Sequence, residues 1–199
     1  AQKMKAKHIV QLHGTYSVSP LQTRWSAEHL RSLRNADELI ANSNYTASSL
    51  KHEMPELRPR VARLGVDQDR FQGNGGEQKK QFFLFVGQPK PRKGFKTAIE
   101  GFKLFSEKRP DYRFLIVGNV DDSTYVKDVK NYIQDHDVSV EFLGGVPHER
   151  LVSLFQSCTA HVLPSISDRY NFEGFGLVHL EATMESLLLL VFQTRKVCM

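Results

Sequence analysis

Five apolar runs return at intervals along the second part of the chain: FFLFVG (82–87), YRFLIVGN (112–119), VEFLGGV (140–146), AHVLPS (160–165) and LLLLVF (187–192). They are nearly continuous rather than alternating, which is how a strand reads when both of its faces are buried. Between them lie stretches of helical period at 93–108, 123–136, 147–158 and 175–186. In the first of these, Phe95, Ala98, Ile99, Phe102 and Phe105 fall on one stripe of a helix. Apolar strands alternating with amphipathic helices imply a parallel sheet covered on both faces, so the segment reads as a doubly wound α/β domain.

The first part carries the same alternation in weaker form. Strands are expected at 8–13, 38–43 and 60–65. Helices are expected at 19–36, with Ser19 as cap and Pro20 in the first turn, and at 45–54, stopped by Pro55. It looks like the tail end of another parallel-sheet domain. Between the two parts, 65–81 places Gly73, Gly75 and Gly76 among charged residues, the composition of a flexible boundary. The expected organisation is residues 1–66 as the C-terminal part of one domain, 67–81 as linker, 82–192 as a second incomplete domain and 193–199 as tail.

Composition narrows the classes. Of 199 residues, 40% are hydrophobic and 25% charged, as in ordinary globular chains. No run of 18 apolar residues occurs, so no membrane span is expected. Residues 1–7 are too polar to open a signal peptide. Cys158 and Cys198 are too few for a disulfide framework, which fits a reducing, cytoplasmic setting. The net charge of +5 suits phosphates or an anionic membrane surface, and also a plain solvated surface. No long basic run with interleaved aromatics appears, so nucleic acid is not an expected partner. The eight histidines form no ligand-like cluster in sequence, and neither a metal nor a cofactor is expected.

Ligands of doubly wound sheets bind where strands lead into helices at their carboxyl ends. Three regions stand there. GQPKPRKG (87–94) follows a strand, opens a helix and carries Lys90, Arg92 and Lys93, cations that suit a diphosphate at a helix N-terminus. It reads equally as a turn shaped by Pro89, Pro91 and Gly94 with solvated cations. NFEGFG (171–176) precedes the last helix and brackets Gly174 and Gly176 between Glu173 and Glu181. Glu181 would lie about 7.5 Å into the helix at 1.5 Å per residue. One carboxylate could then meet the far end of a ligand while the other accepts from vicinal hydroxyls, as acidic residues do on ribose. A capping carboxylate and a surface carboxylate would give the same spacing. VGNVDD (117–122) and LGGVPHER (143–150) could wall a base pocket or serve only as turns.

Taken in order, these motifs resemble the retaining GT-B glycosyltransferases of family 4. ADELIANSNYTASSL and RVARLGVDQDRF look like the end of the family's acceptor domain and its linker. FLFVGQPKPRKGFKTAIEGF, LIVGN, VEFLGGVPHERLVSLFQSCTAHVLPS and EGFGLVHLEA follow in the family's donor-domain order. The resemblance implies a GT-B type α/β fold of two Rossmann-like parallel-sheet domains, both incomplete in this chain. It implies transfer of a sugar from a nucleotide-sugar donor to an acceptor hydroxyl, with retention of anomeric configuration and without a metal. The acceptor would be a glycan or a lipid-linked species, reached in the cytoplasm or at the inner face of an anionic membrane. By the same resemblance, Lys93 binds the diphosphate, Glu181 the ribose hydroxyls and Glu173 the hydroxyls of the donor sugar. Gly87, Gln88, Arg92 and the backbone of Gly174, Phe175, Gly176 and Leu177 lie close to the donor. His13, in QLHG, corresponds to a histidine facing the donor sugar; read without the family, it is a histidine ending a strand. His13, Glu173 and Lys93 form the expected catalytic set. Two departures stand out. Gln88 occupies a position where many members carry arginine, with Arg92 of the P-R-K sequence as the substitute charge. After Ala182, the sequence TMESLLLLVFQTRKVCM lacks the expected Gly- and Pro-containing turn. The alternative function is a non-catalytic fragment that at most binds a nucleotide or nucleotide sugar.

Overall fold

The computed structural model describes residues 6–71, 80–184, 188–190 and 194–195. The chain divides into two units, Ala1–Gly65 with Asp168–Gly176, and Val66–Ser167 with Leu177–Met199. Residues 168–176, read above as part of the second segment, therefore belong to the first unit.

The first unit holds a parallel sheet of β1 (Ile9–Leu12), β2 (Glu38–Ala41) and β3 (Arg60–Val61) in that order. Helices α1 (Ser26–Arg34) and α2 (Asn44–Glu53) connect them. The continuous helix expected over 19–36 is broken. Ser19–Gln22 is a 3-10 turn without a side-chain cap, and α1 starts only at Ser26. Thr23 causes the interruption: its hydroxyl donates to the Pro20 carbonyl (2.9 Å) and accepts from the Trp25 N–H (3.2 Å), a local closure that competes with helical bonding. Ser43 caps α2, accepting from the Thr46 N–H at 3.0 Å. The core gathers Leu12, Leu33, Leu50 and Met54, and Phe172 completes it from the returning segment.

The second unit is a five-stranded parallel sheet in the order β6-β5-β4-β7-β9. Its strands are β4 (Phe82–Val86), β5 (Arg113–Val117), β6 (Val140–Gly144), β7 (Ala160–Val162) and β9 (Leu188–Leu190). Helices α3 (Phe95–Ser106), α4 (Thr124–Asp135), α5 (His148–Ser157) and α6 (Leu177–Met184) alternate with them. The continuous apolar runs are explained by two cores. Leu84, Leu115 and Val117 pack with Phe155 and Ala182 on one face, whereas Phe85, Phe114 and Ile116 pack with Phe95, Ile99 and Val129 on the other. On α3, Phe95, Ala98, Ile99 and Phe102 are all buried, the stripe read from the sequence, at about 1.5–3 kcal/mol for each large side chain. Lys96 and Lys103 pair with Glu100 and Glu107 elsewhere on the same helix. The α/β class with parallel sheets is thus the observed one.

A small parallel pair, β8 (Ile166–Ser167) with β10 (Thr194–Arg195), had no counterpart in the sequence reading. Two-residue strands leave no periodicity to detect. The glycines expected at 73, 75 and 76, and Cys198, lie outside the described residues; Cys158 is buried.

Candidate functional site

The carboxyl ends of β4 and β5 meet in the second unit. Gln88, just after β4, donates to Asp121 in the loop after β5 at 3.1 Å. Asp121 is held below the usual carboxylate range, chiefly by Ser123, with Gln88 and the charge of Lys90 adding to the effect. Gln88 therefore joins two loops. Pro91–Lys93 forms a 3-10 turn that leads through Gly94 into α3. Gly94 is left-handed, with φ of 66°, and a Cβ there would lie 1.8 Å from the Pro164 carbonyl oxygen. Only glycine fits, because both the dihedral and the close approach exclude a side chain. The turn carrying Arg92 and Lys93 is thereby fixed against the segment that follows β7.

Glu181 lies on α6, five positions into the helix counting from Leu177. Its carboxyl is raised by burial, an effect that the nearby charges of His148 and Arg70 only offset. His148 is anchored through Nε2 to the Arg70 carbonyl at 2.7 Å, and its ring meets Phe71 edge-on at 5.0 Å. Arg70 and His148 are neighbours of Glu181 that the sequence reading did not single out. They come from distant segments, and nothing in their own spacing announces the meeting. The same helix carries His179, whose ring meets that of His161 on β7 at 5.8 Å.

The loop carrying Glu173 is built differently. It is pinned to the first unit by Arg169, which forms a two-bonded pair with Glu53 (2.6 and 2.9 Å), and by Thr15, which donates to the Tyr170 carbonyl at 2.6 Å. Asp168 caps the turn, accepting from the N–H groups of Tyr170 (2.9 Å) and Asn171 (2.7 Å). Phe172 is buried and meets Tyr45 edge-on at 5.0 Å. The Gly174 carbonyl accepts from the Ser43 hydroxyl. Gly174 and Gly14 touch through their backbones: a Cβ on Gly174 would lie 2.3 Å from the Gly14 Cα. His13 is exposed at the end of β1, immediately before Gly14, so this contact brings the chain at His13 beside the chain at Glu173.

The expected residues thus fall into two groups. Gly87, Gln88, Arg92, Lys93, Leu177 and Glu181 belong to the second unit, and His13, Glu173, Gly174, Phe175 and Gly176 to the first. The Glu173/Glu181 spacing that suggested a single bracket is divided at Gly176, where the loop of one unit gives way to the helix of the other. As for metals, the sequence holds two Asp-x-Asp triplets, one at 135–137 and one at 67–69. Asp67 Oδ1 there accepts from the Asp69 N–H at 3.2 Å. Among the described residues, no group of three or more His, Cys, Asp or Glu could hold a metal ion. Among them, too, no helix is long and apolar enough to cross a membrane.

The comparisons with known proteins agree with the fold. The family model for glycosyl transferases group 1 matches residues 66–198. The α-1,3/1,6-mannosyltransferase alg2 of Schizosaccharomyces pombe is 25% identical over 191 residues, an alignment covering 78% of this chain and 37% of the relative. Among solved structures, HepE of Anabaena in complex with UDP and glucose superposes with a TM-score of 0.74 at 20% identity, over 93% of this chain and 52% of that one. TarM of S. aureus, in a complex containing UDP, gives a TM-score of 0.71 at 13% identity, over 96% of this chain and 38% of that one. These neighbours are GT-B glycosyltransferases. The chain spans between about a third and a half of the length of these relatives.

Proposed function

Because this chain belongs to the group 1 glycosyl transferases, we propose that it contributes to the transfer of a hexose from a nucleotide-sugar donor to an acceptor hydroxyl, with retention at the anomeric carbon. The observation that carries this reading is Glu181. A half-buried carboxylate whose pKa burial pushes up is poorly solvated and gains from donors such as vicinal ribose hydroxyls.

In the proposed chemistry, Lys93 and Arg92, with the N-terminal amides of α3, take the diphosphate. As the bond to the anomeric carbon breaks, charge builds on the leaving phosphate. Cations held by a fixed turn stabilise that charge without reorganising. Glu173 accepts from hydroxyls of the donor sugar, and His13 faces the reacting sugar. The carboxylates position and do not act as a hydrolytic pair. The acceptor is a glycan or a lipid-linked species, and the net charge of +5 supports peripheral contact with an anionic membrane face. HepE and TarM crystallised with UDP, which supports a nucleoside-diphosphate donor here. The mannosyltransferase relative supports a hexose.

The test is release of nucleoside diphosphate from a panel of nucleotide sugars, with and without candidate acceptors. Acceptor-dependent release that is lost in Lys93→Ala and reduced less in Arg92→Ala supports transfer. Binding without release supports a chain that only holds the donor. Absence of both binding and release overturns the reading.

A further inference from the structure

The break at Thr23 does more than shorten α1. It leaves an open recess of about 520 Å³ within the first unit, walled by the 3-10 turn Ser19–Gln22 and by the helix. Small-molecule sites occupy ~300–1,000 Å³. Trp25, Glu28, His29 and Ser32 line the helix side. Their i, i+3, i+4, i+7 spacing puts them on one face, whereas Leu30 and Leu33 carry another face into the core. Ser19 and Thr23 line the turn side. Trp25 is 53% exposed, although a side chain of this size gains most from burial. The Arg24 guanidinium lies over its ring, 4.9 Å from the centroid, and steadies it. His29 is held through Nε2, 3.0 Å from the Ser17 carbonyl. A carbonyl only accepts, so Nε2 carries the proton and the neutral ring offers Nδ1 as an acceptor. The Glu28 carboxylate and the hydroxyls of Ser19 and Ser32 have no hydrogen-bonding or ionic partner among the described residues.

We propose that this recess binds a neutral saccharide. Charge and shape together select that class. Arg24 beside the indole disfavours a cation, and Glu28 in the wall disfavours an anion such as a phosphate. A lipid chain would strip water from the carboxylate, the hydroxyls and the imidazole without pairing any of them. A sugar ring carries C–H groups on a face and hydroxyls around its rim. The C–H face lies on the electron-rich indole. The rim hydroxyls donate to Glu28 and to His29 Nδ1, while Ser19 and Ser32 serve as donors or acceptors. None of the residues assigned above to the donor or to catalysis lines the recess. The inference therefore goes beyond the transferase reading and does not depend on it.

Trp25 is the sole tryptophan of the sequence, so its emission reports the recess directly. The full chain is titrated with maltotriose, chitotriose and α-mannotriose, and separately with vesicles of phosphatidylglycerol and phosphatidylcholine. At least one trisaccharide should shift the emission to the blue, saturably, and shield the indole from acrylamide. By calorimetry, Trp25→Ala should weaken that trisaccharide about three- to tenfold. Trp25→Phe, which keeps an aromatic face, should recover most of the affinity. Glu28→Ala should weaken it about tenfold, for loss of a charged acceptor. The thermal midpoints of all three variants should stay near that of the wild type, because both residues are exposed. A response to vesicles without one to any trisaccharide overturns the proposal and assigns the indole to a membrane surface. No response to any trisaccharide, or binding that Trp25→Ala and Glu28→Ala leave at wild-type strength, overturns it as well. No nucleotide enters these titrations, so failure of the donor reading would leave their outcome unchanged.

Discussion

Replacing Gly94 with alanine separates the effect of the turn from that of its charges. The added Cβ meets the Pro164 carbonyl oxygen at 1.8 Å, so the two backbones must part by 1.2 Å to reach even 3.0 Å. Neither partner is a flexible side chain. Forcing a methyl group into such a contact costs about 1–3 kcal/mol. The left-handed φ of 66° adds about 1–2 kcal/mol for any L-residue with a Cβ. Together these predict a loss of about 2–5 kcal/mol, a large share of the ~5–15 kcal/mol that holds a domain folded. Urea unfolding followed by circular dichroism reads the loss, and amide exchange on α3 and β7 localises it. Gly65→Ala is the control: nothing lies within 4 Å of its Cβ and its φ is not left-handed. It should stay within about 0.5 kcal/mol of wild type. A Gly94→Ala protein as stable as the control would refute the claim that this turn is locked onto the segment that follows β7.

Three further outcomes follow from the geometry. Glu181→Gln should be more stable than wild type at neutral pH: a carboxyl raised by burial contributes stability below its unfolded pKa of 4.5 and loses it as pH rises through the raised folded value. The same variant should bind UDP-sugars about 10- to 100-fold more weakly, for loss of hydrogen bonds to a charged acceptor. For Glu53, which Arg169 holds below 4.5, the sign reverses. Its stabilising pair is present above 4.5 and is lost as pH falls through the lowered folded value. The thermal midpoint of the first unit, read from Trp25 fluorescence, should fall in acid. Arg169→Gln should lower it at neutral pH and show little further acid loss. Gly174→Ala, whose Cβ would meet the Gly14 Cα at 2.3 Å, should lower that midpoint through a loss of about 1–3 kcal/mol of stability without altering exchange in α3.

The sheet of the second unit was legible because its strands are buried on both faces. Phe82 and Leu84 serve one core, Phe85 the other, and so the run FFLFV cannot be mistaken for a half-exposed strand. The 93–94 turn was legible because cations, prolines and glycine gather within eight residues. Other features could not be read. Thr23 breaks a helix through two bonds of one hydroxyl, and its sequence context gives no warning. The capture of 168–176 by the first unit depends on Arg169 meeting Glu53 across 116 residues. Arg70 and His148 approach Glu181, and His161 meets His179, by similar long-range closure. Periodicity is local, and such meetings are set only by tertiary packing. The bond from Gln88 to Asp121, 33 residues on, was likewise not legible in its own segment.

The central claim is that the strand-end edge of the second unit holds a nucleoside diphosphate between the Lys93 turn and α6. Titrating UDP into 15N-labelled chain tests it most directly. The account predicts saturable shifts at the amides of Gly87, Lys93, Gly94, Leu177 and Val178, abolished by Lys93→Ala. Saturable shifts that map elsewhere and survive Lys93→Ala would contradict it.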